Sequence, residues 1–172
     1  LVVSTLATTR LEELASTGTI LWFQLYLQAG RQDSLTLVRR AEDCGCQALV
    51  VTVDAPLAGI RNREQRAGFQ LPPGIVAVNL PDLPSLPTPP LSPGASVVFD
   101  GLLAHAPTWE DIAWLSTVTS LPVIVKGILD PADALLAVQH GAHGIIVSNH
   151  GGRVLDTLPA SIDMLPAIAT AV

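Results

Sequence analysis

The residues best suited to chemistry lie in the stretch GIIVSNHGGRVLD, residues 144–156. An apolar run ends at Ser148, and His150, a glycine pair and Arg153 follow directly. A histidine can act as a general base near neutral pH, and the planar guanidinium of an arginine matches a carboxylate. A hydrogen-bonded loop histidine is the alternative for His150. The glycines favour a functional role, because they permit close backbone approach to a ligand.

Four further residues follow or end other apolar runs. Lys126 ends PVIVK, where a lysine either forms a buried ion pair or directs positive charge at a ligand. Asp54 either orients an imidazole, as the acid of a catalytic triad does, or caps a turn before Pro56. Tyr26, the only tyrosine, packs its ring or hydrogen-bonds through its hydroxyl. Arg61 is a second candidate anion binder, although its spacing in GIRNREQR favours one solvated charge among three.

Short apolar runs alternate with helical patterns, and these elements must position the residues above. The runs predict strands over 1–5, 20–26, 47–54, 122–127 and 143–148. The helical patterns predict helices over 8–17, 33–45, 106–118, 130–141 and 158–172. The strands are rich in Val, Ile and Leu without alternation, which is typical of parallel strands covered by helices. The fold class is therefore α/β, either a (β/α)₈ TIM barrel or a doubly wound sheet. No G-x-G-x-x-G follows a strand, so nothing supports the dinucleotide-binding fold.

Capping residues mark several helix ends. Asp33 is the predicted N-cap of the second helix. Thr108, with Asp111 three residues later, resembles a capping box at the third. Pro131 and Gly141 are placed at the first turn and the end of the fourth.

Polar or ionisable residues end four consecutive predicted strands. They are Gln24 and Tyr26, Thr52 and Asp54, Lys126, and Ser148 and His150. In both candidate folds, ligands bind at the carboxyl ends of parallel strands. We therefore expect these side chains to converge at one end of the sheet.

One proline-rich stretch interrupts the alternation. Residues 71–94 hold eight of the 14 prolines, a composition that does not suit a packed helix or sheet. We interpret about 71–105 as a loop excursion within one domain spanning 1–172, because long loops of this kind are often lids. A linker between two domains is the alternative, but the strand–helix alternation resumes afterwards.

Composition and charge exclude several classes of protein. The net charge of −6 and the lack of a basic stripe argue against nucleic acid as a partner. No apolar run reaches the roughly 18 residues of a membrane helix, and no targeting signal is visible. Cys44 and Cys46 form one C-x-C without a second pair, so we expect free thiols and no metal site. Free thiols suit a reducing compartment. With no targeting signal visible, we expect an intracellular location, cytoplasmic or peroxisomal.

Several blocks together resemble the FMN-dependent α-hydroxy acid oxidase/dehydrogenase family. SNHGGRVLD is similar to the family's S-N-H-G-[GA]-R-[QV]-L-D signature, and WFQLY, TVDAP, GIRNREQRAGF and PVIVKGIL match its other blocks in order. The resemblance covers almost the whole chain apart from the proline-rich stretch. It implies a (β/α)₈ barrel with FMN at the carboxyl-end mouth, present here from about strand 2 to strand 6. A barrel from which the remaining strands are missing is expected to leave open, apolar sheet edges.

The resemblance also implies a role for each site residue. His150 matches the catalytic base, Asp54 its carboxylate partner, and Tyr26 the tyrosine that hydrogen-bonds the substrate. Arg61 and Arg153 match the pair that holds the substrate carboxylate. The residues that match flavin contacts are Ser4, Gln24, Thr52, Lys126 and Ser148, with Lys126 beside flavin N1 and the C2 carbonyl. The implied partners are a small 2-hydroxy acid and, for the full-length protein, further copies of itself.

The match is not complete. Leu6 stands where glycolate-oxidase-like members carry an aromatic residue, so the pocket wall differs. Ala55 replaces a common threonine. The first strand and the seventh-to-eighth region, which binds the FMN phosphate in the family, have no counterpart in these residues.

Three functions are consistent with these patterns. The leading hypothesis is FMN-dependent oxidation of a 2-hydroxy acid to a 2-oxo acid, with His150 as base and Arg61 and Arg153 on the carboxylate. The alternative is a truncated, non-catalytic relative that acts as a structural or interaction module. A different FMN barrel, such as an isomerase, is disfavoured by SNHGGR together with Tyr26 and Arg61.

Overall fold

The five predicted strands form one parallel sheet in the computed structural model, which describes residues 1–56, 61–80, 91–104 and 106–172. They are β1 (Val2–Ser4), β2 (Trp22–Leu25), β3 (Leu49–Thr52), β4 (Val123–Ile128) and β5 (Gly144–Val147). Each strand pairs in parallel with the next, in the order β1-β2-β3-β4-β5. A doubly wound sheet reverses its strand order at a switch point, whereas barrel strands follow one another in sequence. The sheet is thus part of a (β/α)₈ barrel, as predicted.

Six α-helices and one π-helix accompany the strands in the described residues. They are α1 (Leu11–Ala15), α2 (Arg31–Asp43), α3 (Asn62–Arg66), α4 (Trp109–Val118), α5 (Pro131–Gln139), α6 (Ser161–Ala171) and the π-helix (Val97–Leu102). Five of the α-helices lie where helices were predicted, with later starts or earlier ends in most cases. No helix in the described part of the chain is long and apolar enough to cross a membrane.

The region of about 71–105 contains one element that the sequence did not indicate, the π-helix over Val97–Leu102. Within the proline-rich stretch itself, residues 71–80 and 91–94 form no helix or strand. The remaining part of the predicted excursion, 81–90, lies outside the described residues, as does His105.

The helix starts agree with the predicted caps except at α2. This helix begins at Arg31 with Gly30 as N-cap, so the prediction of Asp33 as N-cap was wrong. Asp33 lies instead in the first turn, where a carboxylate is stabilised by the positive end of the helix dipole. At α4 the carboxylate of Asp111 accepts a hydrogen bond from the Thr108 N–H at 2.9 Å, as a capping box requires. At α5, Pro131 is the first residue.

The two faces of the sheet differ in character. Phe23, Val51 and Val125 are buried in the apolar core, together with residues of α2, α4 and α5. Successive side chains of a strand point to opposite faces, so Gln24, Thr52 and Lys126 share the other face. The register supports this, because Thr52 is paired directly with Lys126. The core therefore fixes which side chains reach the polar face.

The two cysteines behave as expected of structural thiols. Cys44 and Cys46 are both free, and Cys46 is buried. Burial raises the pKa of the Cys46 thiol to about 11, so the reactive thiolate form is suppressed at neutral pH.

We expect the 172-residue chain to self-associate through the β1 edge of the sheet. Val2 in β1, Ile20 and Trp22 are 50%, 62% and 36% exposed, and β1 is an edge strand in the described sheet. An apolar, unpaired strand edge invites pairing with another chain. Light scattering on the purified chain is expected to report oligomers or aggregates, with less association in Val2→Lys. A monodisperse monomer at tens of micromolar would contradict this prediction.

Candidate active site

A carboxylate at the end of β3 joins the chemistry-bearing residues of β4 and β5. His150 Nδ1 lies 2.7 Å from Asp54 Oδ1, and Lys126 Nζ lies 3.6 Å from Asp54 Oδ2. The Asp54 side chain is only 10% exposed, compared with 22% for His150 and 26% for Lys126. Three residues far apart in sequence are thus brought together at the carboxyl ends of neighbouring strands, as their positions predicted.

The pairing determines which ring nitrogen of His150 is available. An ionised carboxylate can only accept hydrogen bonds, so the Nδ1 of a neutral imidazole carries the hydrogen that Asp54 accepts. The Nε2 atom of that tautomer is unprotonated and free to take a proton. The second carboxylate oxygen, Oδ2, is buried and has no hydrogen-bond partner among the described residues, and Lys126 Nζ lies within ion-pair distance of it. The arrangement can therefore hold a base in the correct tautomer and stabilise the imidazolium that forms.

His150 occupies an uncommon backbone conformation. Its φ is +57°, and Gly151 and Gly152 follow with φ of +66° and +67°. Positive φ is costly for most residues, with histidine and asparagine better tolerated than others. The added Cβ of a substituted Gly151 or Gly152 would meet open space, so the backbone conformation, and not crowding by protein atoms, explains the glycine pair.

Asn149 holds this turn in place, a role that sequence reasoning missed. Its side-chain Nδ2 donates to the Pro159 carbonyl at 3.1 Å, and its backbone N–H donates to Ser161 Oγ at 3.1 Å. The Gly152 N–H in turn approaches Asn149 Oδ1 at 3.3 Å. The contacts tie the start of the β5–α6 loop to its end. The available signal was that asparagine side chains commonly hydrogen-bond nearby backbone in turns.

Gly127 gives Asp54 the space it occupies, and this was not foreseen either. Gly127 has φ of +114° and lies at a register shift in β4 between Lys126 and Ile128. A Cβ at this position would lie 2.6 Å from Asp54 Cβ and 2.7 Å from its Cγ. The absence of a side chain at Gly127 therefore lets the carboxylate lie against β4, next to Lys126.

A row of hydrogen-bonded polar side chains crosses β1, β2 and β3. Ser4 Oγ donates to Gln24 Oε1 at 3.1 Å, and Gln24 Nε2 donates to Thr52 Oγ1 at 2.9 Å. The Thr5 hydroxyl, which sequence reasoning did not single out, donates to the backbone carbonyl of Gln24 at 2.6 Å. It accepts from the backbone N–H of Tyr26 at 3.1 Å. These contacts fix the Gln24 amide orientation and leave the Thr52 hydroxyl proton available to a ligand.

Tyr26 lies close enough to Asp54 and to Arg61 for both charges to act on its phenol. Burial raises the pKa of its phenol above the ordinary value of 10.0, the Asp54 charge raises it further, and Arg61 opposes the shift. The phenol is therefore neutral at physiological pH and can donate a hydrogen bond.

The two predicted substrate-binding arginines meet at one carboxylate. Arg61 Nη1 lies 3.3 Å from Glu64 Oε2, and Arg153 Nη2 lies 3.5 Å from Glu64 Oε1. Residues 61–64 and 152–156 line a cleft of about 690 Å³ between α3 and the β5–α6 loop. Arg61 lines this cleft and pairs with Glu64 three positions along the chain, so it is not simply one solvated charge among three, the interpretation that spacing alone favoured. Glu64 is a further residue that sequence reasoning missed.

The remaining predicted positions have local partners. Ser148 Oγ accepts a hydrogen bond from the His150 N–H at 3.0 Å and keeps its own proton to donate. His140 stacks on Trp109, and His143 Nδ1 accepts from the Val123 N–H at 3.2 Å. These contacts link α5 to α4 and the start of β5 to β4. In the described residues no group of three or more His, Cys, Asp or Glu side chains is arranged to hold a metal ion.

Comparison with known proteins finds a matching family model and similar sequences. The family model described as FMN-dependent dehydrogenase matches residues 1–172. An L-lactate oxidase of Roseobacter sp. (strain GAI101) is 52% identical over 172 residues, which are 100% of this chain and 46% of that protein. A glycolate oxidase of Spinacia oleracea is 45% identical over 172 aligned positions, covering 98% of this chain and 46% of that protein.

Solved structures of mandelate oxidase have a fold similar to that of this chain. A mandelate oxidase mutant with the C4a-OH-FMN adduct superposes with a TM-score of 0.82 at 43% identity, covering 99% of this chain and 45% of that one. The chain spans about half the length of the curated relatives that it matches. The likeness therefore extends over all of this chain but over only part of each relative.

Proposed function

Because the chain belongs to the FMN-dependent dehydrogenase family, we propose that it is the part of an FMN-dependent enzyme that oxidises a 2-hydroxy acid to a 2-oxo acid. The observation that carries the proposal is the His150 Nδ1–Asp54 Oδ1 contact of 2.7 Å beside Lys126. A base in a fixed tautomer, next to a fixed cation, suits proton removal coupled to transfer of two electrons. Relatives named L-lactate oxidase and glycolate oxidase support the same class of substrate.

The polar face of the sheet fits the ring of a flavin. The Thr52 and Ser148 hydroxyls each accept a hydrogen bond within the protein, and neither donates one to another described residue, so each can donate its proton to a ligand. Lys126 offers three donors and a positive charge next to Thr52 in the register. Gln24 and Ser4 continue the row. Five residues, Ser4, Gln24, Thr52, Lys126 and Ser148, would hold the ring, and bound FMN would supply the two-electron acceptor.

His150 removes a proton from the bound 2-hydroxy acid in this proposal. The proton passes to Nε2, because Nδ1 already carries the hydrogen that Asp54 accepts. Asp54 then stabilises the resulting imidazolium, as the acid of a triad does. The fixed positive charge of Lys126 would stabilise negative charge on a bound flavin ring. Each of these roles uses a position that the fold brings to the same strand ends.

The substrate carboxylate is held by Arg61 and Arg153, and its hydroxyl region by Tyr26. Guanidinium groups bind carboxylates through paired N–H donors, which orient the substrate as well as attract it. The raised pKa of Tyr26 keeps its phenol protonated as a donor. Orientation of this kind places the substrate α-carbon for reaction without a diffusive search.

Anaerobic mixing of the full-length, FMN-loaded protein with a panel of 2-hydroxy acids tests the proposal directly. We expect the flavin absorbance to bleach with at least one member of the panel and one equivalent of 2-oxo acid to form. FMN binding without bleaching by any panel member would contradict the proposal. It would favour the alternative, a non-catalytic structural or interaction module.

Leu6 is expected to shift substrate preference towards larger side chains. Leu6 is 54% exposed, and its N–H donates to Ser4 Oγ at 3.1 Å, which places it next to the proposed flavin contacts. A leucine fills less space than the aromatic residue of glycolate-oxidase-like members. We expect kcat/KM for 2-hydroxy acids with larger side chains to exceed that for glycolate by about tenfold or more.

The variant Leu6→Trp should narrow this difference by filling the space. Steady-state kinetics on matched preparations of both proteins provide the measurement. If glycolate gives the highest kcat/KM with Leu6 in place, the pocket argument is wrong.

A further inference from the structure

Glu64 connects two parts of the chain that are distant in sequence. Its Oε2 atom faces Arg61 Nη1 at 3.3 Å, and its Oε1 atom faces Arg153 Nη2 at 3.5 Å. Arg61 precedes Glu64 by three positions, so their pairing is local to α3. Arg153 lies in the β5–α6 loop, 89 positions further along the chain. One carboxylate thus sets the separation between two cations that no backbone element holds together.

Within the described part of the chain, these contacts leave most N–H donors of each guanidinium without a protein partner. An arginine has five N–H donors. Arg61 and Arg153 each approach Glu64 through only one terminal nitrogen. The Arg61 and Arg153 side chains are 53% and 50% exposed, so their other donors are open to the cleft. Without an anion between them, two like charges on long, flexible side chains would separate. Glu64 therefore counteracts both their repulsion and their freedom while leaving donors for a ligand.

We propose that Glu64 is a positioning residue that holds Arg61 and Arg153 together as a preorganised site for the carboxylate of a 2-hydroxy or 2-oxo acid. This inference rests on the proposed function for the nature of the ligand. Groups ordered before binding lose less conformational freedom when the ligand arrives, so preorganisation appears as affinity. Glu64 lines the cleft but has no place in the proton transfer, which uses His150 and Asp54.

The effect is expected in binding more than in turnover. Titration of pyruvate, a 2-oxo acid that cannot be oxidised by this reaction, into the FMN-loaded protein measures affinity by calorimetry. We expect Glu64→Gln to raise the pyruvate Kd by about threefold to tenfold, the range that two half-exposed ion pairs supply. The KM for the hydroxy acid should rise in parallel, with a smaller change in kcat. The variant Glu64→Asp keeps the charge on a shorter side chain. Its pyruvate Kd should lie between those of the unsubstituted protein and Glu64→Gln.

Two further variants separate positioning from a general charge effect. Glu13→Gln, on an exposed position of α1, removes the same charge and should leave the Kd unchanged. In an Arg153→Met background, Glu64→Gln should change the Kd less than twofold, because the pair it maintains is already broken. A thermal unfolding curve on each variant controls for loss of folded protein.

The outcomes distinguish this inference from the proposed function. An unchanged pyruvate Kd in Glu64→Gln would overturn the inference. A lower Kd would also overturn it, since Glu64 would then compete with the ligand. Failure of the unsubstituted protein to bind pyruvate would remove the site altogether. Pyruvate binding that depends on Glu64, with no flavin bleaching by any hydroxy acid, would support the inference and contradict the proposed function.

Discussion

Replacement of His150 by glutamine is expected to lower the turnover number of the FMN-loaded enzyme by about 10²–10⁴-fold, the usual contribution of a general base. Glutamine can still hydrogen-bond Asp54, but its amide cannot accept a proton at neutral pH. Bound FMN should be retained, because three of the residues proposed to contact the ring, Ser4, Gln24 and Thr52, are held in their own hydrogen-bonded row. Stopped-flow measurement of flavin reduction with the best hydroxy acid gives the rate of the affected step.

The backbone at His150 requires a second variant. Its φ of +57° is tolerated by histidine and asparagine better than by glutamine, for which it costs about 1–2 kcal/mol. His150→Asn should therefore fold more stably than His150→Gln and be equally inactive. A difference in activity that followed the difference in stability would indicate a structural role for His150.

His140→Gln is the matched control for the loss of an imidazole. His140 lies at the end of α5, where its ring stacks on Trp109 and its Nδ1 approaches the Leu136 carbonyl. This variant should keep its rate of flavin reduction. Turnover close to that of the unsubstituted protein in His150→Gln would end the assignment of His150 as the base.

Much of the site could be predicted because a parallel sheet converts sequence position into spatial position. Residues that end buried strands meet at one edge of such a sheet. Asp54, Lys126 and His150 are 24 to 96 positions apart, yet each follows or ends an apolar run, and the structure brings them into contact. Polar residues from near the end of a buried strand to three positions beyond it therefore carried most of the information.

The residues that were missed act through neighbours that no local pattern reveals. Glu64 matters because Arg153 approaches it from another loop, and Gly127 matters because Asp54 occupies the space beside it. Neither relation has a periodicity or a fixed spacing. Arg61 shows the same limit, since its spacing alone favoured a solvated charge, and the cleft that it lines forms only where residues 152–156 approach residues 61–64.

The α3 helix and the π-helix escaped prediction because neither has the apolar pattern of an α-helix. The α3 helix has five residues, fewer than two turns, so an apolar stripe cannot be recognised in NREQR. The π-helix over Val97–Leu102 has a different hydrogen-bond spacing from the α-helix, and the 3.6-residue pattern does not describe it. At α2, helical contacts begin at Arg31, and the good capping residue Asp33 serves the first turn instead. The preference of Asp33 for an N-cap position therefore did not set the start of α2, which lies two residues earlier and nearer to β2.

Substitution of Gly127 by alanine is expected to be as damaging to turnover as loss of the base. The added Cβ would lie 2.6 Å from Asp54 Cβ, 2.7 Å from Cγ and 2.8 Å from the backbone nitrogen. Such distances are not tolerated between protein atoms, so Asp54 or β4 must move. Either movement separates Asp54 from His150 and Lys126, and the imidazole loses its orienting carboxylate. We expect kcat to fall by about 10²-fold or more.

Stability should fall as well, for two separable reasons. The φ of +114° strains any residue with a side chain, and overpacking against Asp54 adds about 1–3 kcal/mol. Gly18→Ala is the matched control, because Gly18 also has positive φ, of +74°, but faces open space in the α1–β2 connection. This control should lose about 1 kcal/mol and keep its activity.

A double variant distinguishes displacement of Asp54 from a general failure to fold. Replacing Asp54 by glycine removes the two side-chain atoms that the new Cβ would meet, so Asp54→Gly in the Gly127→Ala background should recover part of the lost unfolding free energy. Chemical denaturation of the four proteins of this cycle gives the coupling energy. We expect a favourable coupling of about 1 kcal/mol or more between the two substitutions, with no recovery of turnover, because the carboxylate is gone. Purely additive losses, or a Gly127→Ala variant that reduces flavin at the normal rate, would show that Gly127 does not determine the position of Asp54.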